Sequence, residues 1–160
     1  MKNVLFVCTG NSARSVMAEG LLNHLGAGGF RAYSAGSQPT GRVNPFALST
    51  LASLGVHADG YRSKSWDEFA APDGPALHFI FTVCDNAAGE VCPYWPGQPV
   101  SAHWGVSDPA AVEGSDEDKA RAFMAVALTL KRRIELMLAL PLATLDALGV
   151  ERELRGIGTT

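Results

Sequence analysis

Val4-Leu5-Phe6-Val7-Cys8-Thr9-Gly10-Asn11-Ser12-Ala13-Arg14-Ser15 is the stretch that decides the fold of this chain and most of its chemistry. An apolar run leads into a turn, and the turn leads into a helix start. A turn between a strand and a helix points several backbone N–H groups at one spot, and the helix N-terminus adds its positive dipole end there. Arg14, six residues after Cys8, can close over the same spot with a planar, two-pronged donor suited to a tetrahedral oxyanion. A thiol at the lip of such a cradle is expected to lose its proton easily, because the donors that would hold an anion also stabilise a thiolate. The segment therefore reads as an oxyanion site with a nucleophile built in. A Cys and an Arg at this spacing would carry little weight alone, since 13 Lys and Arg are scattered along the chain. The preceding strand, Gly10 for backbone freedom, the hydroxyls of Thr9, Ser12 and Ser15, and a helix from Arg14 to about Leu25 supply the context that makes the motif count.

Outward from this stretch, strands and helices alternate, the pattern of an α/β fold with a parallel sheet. Lys2 to Val7 is the first strand, and Arg31 to Ala35 reads as the second, stopped by Gly36. A loop containing Pro and Gly then leads to Pro45, a good first-turn residue for a helix through about Leu54, with Gly55 as its stop. Leu77 to Val83 is a near-continuous apolar run, as expected of a strand buried on both faces, and Val100 to Trp104 is a shorter fourth strand. Gly114-Ser115-Asp116-Glu117 opens a helix in which Phe123, Val126, Ala127, Leu130 and Ile134 recur at helical spacing, ending near Leu140-Pro141. Leu142 to about Leu154 reads as one more short helix before a polar, Gly-containing tail. The expectation is a single α/β domain with a four-stranded parallel sheet flanked by helices: residues 1–140 form the body, and 141–160 a C-terminal helical extension and tail.

At 160 residues with 47% apolar content the chain can bury a sizeable core. A formal charge of −3 argues against nucleic acid or an anionic membrane as the main partner. The short apolar run near the start ends at Cys8 without a small-residue cleavage site, so it reads as a strand rather than a signal peptide. Three cysteines fit a secreted disulfide scaffold poorly and working thiols in a reducing compartment better, so a cytoplasmic location is expected.

In open parallel sheets, ligands sit beyond the carboxyl ends of the strands. Cys8 ends the first strand, Cys84 lies just past the third and Asp108 shortly past the fourth, so three chemically capable side chains are expected on one rim. Cys84 and Cys92 are spaced too widely for a thioredoxin-type pair and poorly for zinc, even with His57 or His103 as further ligands. The short polar segment between them could unwind to let the two thiols meet in one redox state. Asp108 precedes Pro109, which holds it extended with its side chain free of helix capping, and near an oxyanion it could donate a proton to a departing oxygen. Trp66, Phe69, Trp95 and Trp104 read as core or rim packing.

With these three elements together the chain resembles the low-molecular-weight phosphatase superfamily and, within it, the thiol-dependent arsenate reductases. The loop Cys8-Thr9-Gly10-Asn11-Ser12-Ala13-Arg14-Ser15 with Met17-Ala18-Glu19-Gly20, then Tyr33-Ser34-Ala35-Gly36, and finally His103-Trp104-Gly105 with Asp108-Pro109-Ala110 carry the resemblance. The Cys84 and Cys92 pair is similar to that of the reductases, and ordinary phosphatases lack both thiols. Those phosphatases also tend to carry an aromatic residue after Asp-Pro, where this chain has Ala110.

The resemblance implies a mechanism. Arsenate is held by the backbone of Thr9, Gly10, Asn11, Ser12 and Ala13 together with Arg14, Cys8 attacks arsenic, Asp108 protonates the leaving oxygen, and Ser15 hydrogen-bonds the thiolate. Cys84 then attacks Cys8, releasing arsenite, and Cys92 attacks Cys84, leaving a disulfide for thioredoxin or glutaredoxin to reduce. Phosphate and sulfate are expected as competing oxyanions, and no cofactor or metal is implied. Some relatives have a further Cys where this chain has Ala13. Some hold potassium through an Asn, a Glu, a Ser and an acidic residue; Asn11, Glu19 and Ser34 match, but Lys64 stands at the acidic position, so its ammonium would replace the ion. Two other readings stay open: a phosphatase using Cys8, Arg14 and Asp108 with the other thiols idle, and a non-enzymatic oxyanion or thiol sensor.

Overall fold

The apolar runs assemble around β1 (Lys2–Cys8), the strand that begins the decisive stretch. The computed structural model describes residues 1–57, 59–84, 95 and 97–160. β1 lies parallel to β2 (Phe30–Gly36) on one edge and to β3 (Phe79–Thr82) on the other, with β4 (Val100–His103) outside β3. The order β2-β1-β3-β4 gives a four-stranded, all-parallel sheet. Its core strand is sealed on both faces: Val4, Leu5 and Phe6 are fully buried, which is why β1 reads as an unbroken apolar run and not as an alternating one.

Parallel neighbours require crossovers: α1 (Arg14–Leu25) lies between β1 and β2, and α2 (Pro45–Ser53) and the short α3 (Asp67–Ala70) lie between β2 and β3, while α4 (Asp116–Leu138) and α5 (Ala147–Ile157) follow β4. Start signals work as the sequence suggests. Asn44 accepts from the Phe46 amide ahead of Pro45, and Ser115 and Asp118 form a reciprocal capping box at α4. Gly55, at φ 74°, takes the left-handed turn after α2 that a residue with a Cβ would resist. The helical stripe of α4, with Phe123, Val126, Ala127, Leu130 and Ile134 buried, faces the core.

The C-terminal segment differs from expectation. The last helix starts at Ala147 rather than near Leu142, because the backbone turns at Pro141–Thr144 and Asp146 then caps Gly149 N–H. It also runs on to Ile157, and the final residues are tied to the body instead of trailing as a tail: Val150, Leu154 and Ile157 are buried, and the fully buried Trp104 donates its indole N–H to Leu154 O at 2.8 Å. α3 carries no expectation, since four residues are too few to show a period.

The register brings Cys8 opposite Gly36 and Val7 opposite Thr82, so the carboxyl ends of the strands form one rim. Gly36 is needed there. A Cβ on it would run into Thr9 O, lie 2.9 Å from Cys8 O and 3.0 Å from the Asn11 Cβ. Gly36→Ala is expected to lower stability by about 1–3 kcal/mol through overpacking, read as a lower urea midpoint at unchanged m-value.

Candidate active site

The turn after β1 is built by where its carbonyls go. Thr9 O accepts from Gln38 N at 2.9 Å, Gly10 O from Thr40 N at 3.0 Å and from the Ser63 hydroxyl at 3.1 Å, and Ser12 O from Asn44 N at 2.9 Å. With these oxygens committed to the neighbouring loops, the amides of the same turn are left for its centre. The helix that follows has Ala13 at its cap position and no side-chain cap, so its first amides are not taken by a hydroxyl or carboxylate, as a site for an external anion requires.

The backbone freedom expected of Gly10 is supplied by its neighbour. Asn11 is the left-handed residue, at φ 44°, a conformation that Asn tolerates better than other side-chain-bearing residues. It is fully buried and locked from both ends of its amide: Nδ2 donates to Ser15 Oγ at 2.9 Å, and Oδ1 accepts from Lys64 N at 2.9 Å. Ser15, also fully buried, is thereby an acceptor for Asn11, and its own hydroxyl proton is left to donate. Ser12 turns its hydroxyl outward to Arg42 O at 3.0 Å.

Arg14 spans the cradle and the loop after β4. Its Nη1 donates to Val106 O at 3.1 Å, and its Nη2 lies 3.8 Å from Asp108 Oδ2. Asp108 is extended as expected of a residue before proline (φ −80°, ψ 109°). Its side chain is not free of capping, however. Oδ1 accepts from Ala110 N at 3.0 Å, closing the 3-10 turn Pro109–Ala111, while Oδ2 faces Arg14 and the carboxylate stays 45% exposed.

Cys84 is brought to the same point. Its sulfur accepts the Thr9 amide at 3.3 Å and lies 3.6 Å from the Thr9 hydroxyl. Cys8 and Cys84 are both buried. Here the expectation of an easily ionised Cys8 fails. The hydrogen bond with Cys84 pushes the Cys8 thiol far up, burial adds to the rise, and the Arg14 charge and the Gly10 amide only partly offset it. Two thiols in contact cannot both ionise, so the first proton lost belongs to the pair. Cys92 lies outside the described residues.

Behind the cradle, Glu19 accepts from the Ser34 hydroxyl and lies 4.0 Å from the Lys64 ammonium, which donates to Arg62 O at 3.1 Å. Burial pushes Glu19 up and Lys64 down, and the opposite charge of each holds the other back. The ammonium thus stands beside Glu19 and Ser34, behind the buried Asn11. The loops that hold the cradle's carbonyls (Gln38, Thr40, Asn44, Ser63) escaped sequence reasoning. Three of them act through backbone amides, which every residue has, and so leave no side-chain signal.

The chain belongs to the low molecular weight phosphotyrosine protein phosphatase family, whose profile matches residues 3–148. It is 36% identical over 134 residues to an arsenate reductase of Halalkalibacterium halodurans, covering 84% of this chain and 93% of that one. A solved arsenate reductase in the phosphate binding state superposes with a TM-score of 0.68 at 30% identity, covering 87% of this chain and 98% of the other. The thioredoxin-dependent arsenate reductase of Corynebacterium glutamicum superposes with a TM-score of 0.58 at 26% identity, over 85% of this chain and 63% of that one.

Two outcomes follow from this geometry. Since contact with Cys84 is the largest influence raising the Cys8 thiol, Cys84→Ala in a Cys92→Ala background should move the pH profile of Cys8 alkylation by iodoacetamide to lower pH. An unchanged or upward-shifted profile, read by mass spectrometry, contradicts the coupling. Because an ammonium already sits 4.0 Å from Glu19, exchanging sodium for potassium at constant ionic strength should leave melting temperature and turnover unchanged. A large gain would show that a cation site remains open.

Proposed function

We propose that the protein is an arsenate reductase that works through a relay of three thiols. The observation that carries this reading is the buried Cys84 sulfur on the Thr9 amide, close enough to Cys8 to be the main cause of the rise of its thiol. A phosphatase needs one thiol there, and a second would only crowd it. A reductase needs a second sulfur within reach of the first. The similarity to proteins named arsenate reductase over most of their length supports the same reading.

Arsenate enters between the turn's amides and Arg14. Once the Cys8–Cys84 pair has given its first proton to solvent, the Cys8 thiolate attacks arsenic, and one hydroxyl of the hydrogen arsenate departs as water with a proton from Asp108, leaving a bond between Cys8 sulfur and arsenic(V). Ser15 donates to the sulfur while it is anionic. Cys84 then attacks Cys8 sulfur: the new S–S bond forms, the S–As bond breaks, and arsenic keeps the electron pair and leaves as arsenite. Two thiols have been oxidised to one disulfide as arsenic(V) becomes arsenic(III). Cys92 attacks Cys84, restoring Cys8 and moving the disulfide to Cys84–Cys92, which a dithiol reductant of the thioredoxin kind reduces by exchange. Phosphate and sulfate compete as anions of the same shape. Among the described residues no helix is long and apolar enough to cross a membrane, and a relay that depends on a thiol reductant is consistent with work in the cytoplasm.

Arsenate-dependent NADPH oxidation in the presence of thioredoxin and thioredoxin reductase tests this. The parent should turn over, while Cys84→Ser and Cys92→Ser should each lose about two or more orders of magnitude, as expected when a thiol nucleophile becomes a hydroxyl. If both variants turn over like the parent, the relay is wrong. If only glutaredoxin with glutathione supports turnover, the arsenic chemistry stands and the named reductant does not.

A further inference from the structure

Arg133 is a buried cation that the cradle does not touch. It stands on α4, is 6% exposed, and spends its guanidinium on backbone carbonyls. Nη1 donates to Trp104 O at 2.9 Å and to Gly105 O at 3.1 Å, and Nη2 donates to Thr160 O at 3.1 Å. The next carbonyl along, Val106 O, is the one that accepts from Arg14. Three consecutive carbonyls between β4 and Asp108 are therefore held by two guanidiniums carried on two different helices.

The last residues of the chain complete this arrangement. Leu154 O takes the Trp104 indole N–H. The backbone at Gly158 lies so close to the end of β4 that a Cβ there would collide with His103 O and sit 2.8 Å from Trp104 Cδ1. Leu154, Gly158 and Thr160 all lie beyond residue 148, where the family match ends. A groove of about 360 Å³ runs between the loop and α4, lined by Gly105, Val106, Pro109 and Arg133 among others. The loop's stem is held by polar ties, the two guanidiniums on its carbonyls and Val106 N on Val83 O at 3.1 Å, together with the buried Trp104 ring.

We propose that Arg133 is a positioning residue for Asp108, and that residues 154–160 brace the same loop from the far side of Trp104. Charge-assisted donors on Trp104 O and Gly105 O fix the stem of the loop, Arg14 fixes its next carbonyl, and Asp108 is thereby held where its Oδ2 faces Arg14 and the bound oxyanion. A loosened stem leaves anion binding intact, because the cradle amides are untouched, and misplaces the proton donor. The inference rests on Asp108 being the acid of the proposed reaction.

The test is a mutant cycle read by single-turnover arsenite formation with reduced enzyme in excess, alongside the inhibition constant for phosphate. Arg133→Gln is expected to slow the single turnover by about ten- to a hundredfold, the range for a misplaced proton donor, with the phosphate constant unchanged. In an Asp108→Asn background the same substitution should have almost no further effect. Arg133→Lys, which keeps one charged donor, should recover part of the rate, and Gly158→Ala should show the same background-dependent slowing to a smaller degree. Equal slowing by Arg133→Gln in both backgrounds, or weakened phosphate binding, would make Arg133 a structural residue only and overturn the proposal. An Asp108→Asn enzyme as fast as the parent would instead overturn the assignment of Asp108 as acid. Should Arg133→Gln fail to give a cooperative melt, Arg133→Lys and Gly158→Ala carry the cycle: background-dependent slowing supports the positioning role, and background-independent slowing or none overturns it.

Discussion

The amides that follow β1 can converge on one point only because the carbonyls of the same residues have somewhere else to go. A tight turn cannot leave both sets of polar groups facing inward, and buried carbonyls without partners would cost more than a small anion could return. Here Thr9, Gly10 and Ser12 send their oxygens to amides of residues 38, 40 and 44, and Asn11 holds the one left-handed residue of the turn by bonding Ser15 and the Lys64 amide. Everything at the site depends on that division: the uncapped start of α1, the seat for an oxyanion, and the Gly36 contact that lets the end of β2 touch the turn.

The same convergence explains the behaviour of the thiols. A donor-rich pocket lowers the cost of a thiolate, but it does so for any sulfur that reaches it. Cys84 reaches it through the Thr9 amide, and its nearness, with burial, pushes the Cys8 thiol up. A nucleophile and its eventual attacker stored close together suit a reaction in which both thiols are oxidised to one disulfide by the bound substrate. Such a pair would be a poor arrangement for a hydrolase, in which the nucleophile must be regenerated by water.

Much of this was legible before any coordinates. Strand β1, its run into Arg14, the helix starts at Pro45 and Ser115 and the stripe on α4 follow from local rules: apolar continuity, helix-start chemistry and a period of 3.6. The rim residues Cys8, Cys84 and Asp108 follow from one further rule, that parallel strands present their carboxyl ends together. Three readings went differently for a shared reason. Gly10 was expected to supply the unusual backbone, but Asn11 does so because its side chain has two partners that are distant in sequence. Asp108 was expected to stand free, but one of its oxygens closes the turn at Ala110. The last helix was expected near Leu142, and it waits for Asp146 because the chain must first turn back toward β4.

By itself the amino-acid sequence determined the α/β class, the four strands, the motif around Cys8 and the set of residues able to do the chemistry, because each is encoded by neighbours within a turn or a strand. Only the tertiary structure decided the upward shift of the Cys8 thiol, the orientation of Asp108, the place of Lys64 beside Glu19 and the partners of Arg133. Each of these depends on groups tens of residues apart meeting at a few ångströms, and all but the half-exposed Asp108 meet where water no longer screens them. Charge and hydrogen-bond energies change over that distance and with that loss of solvent.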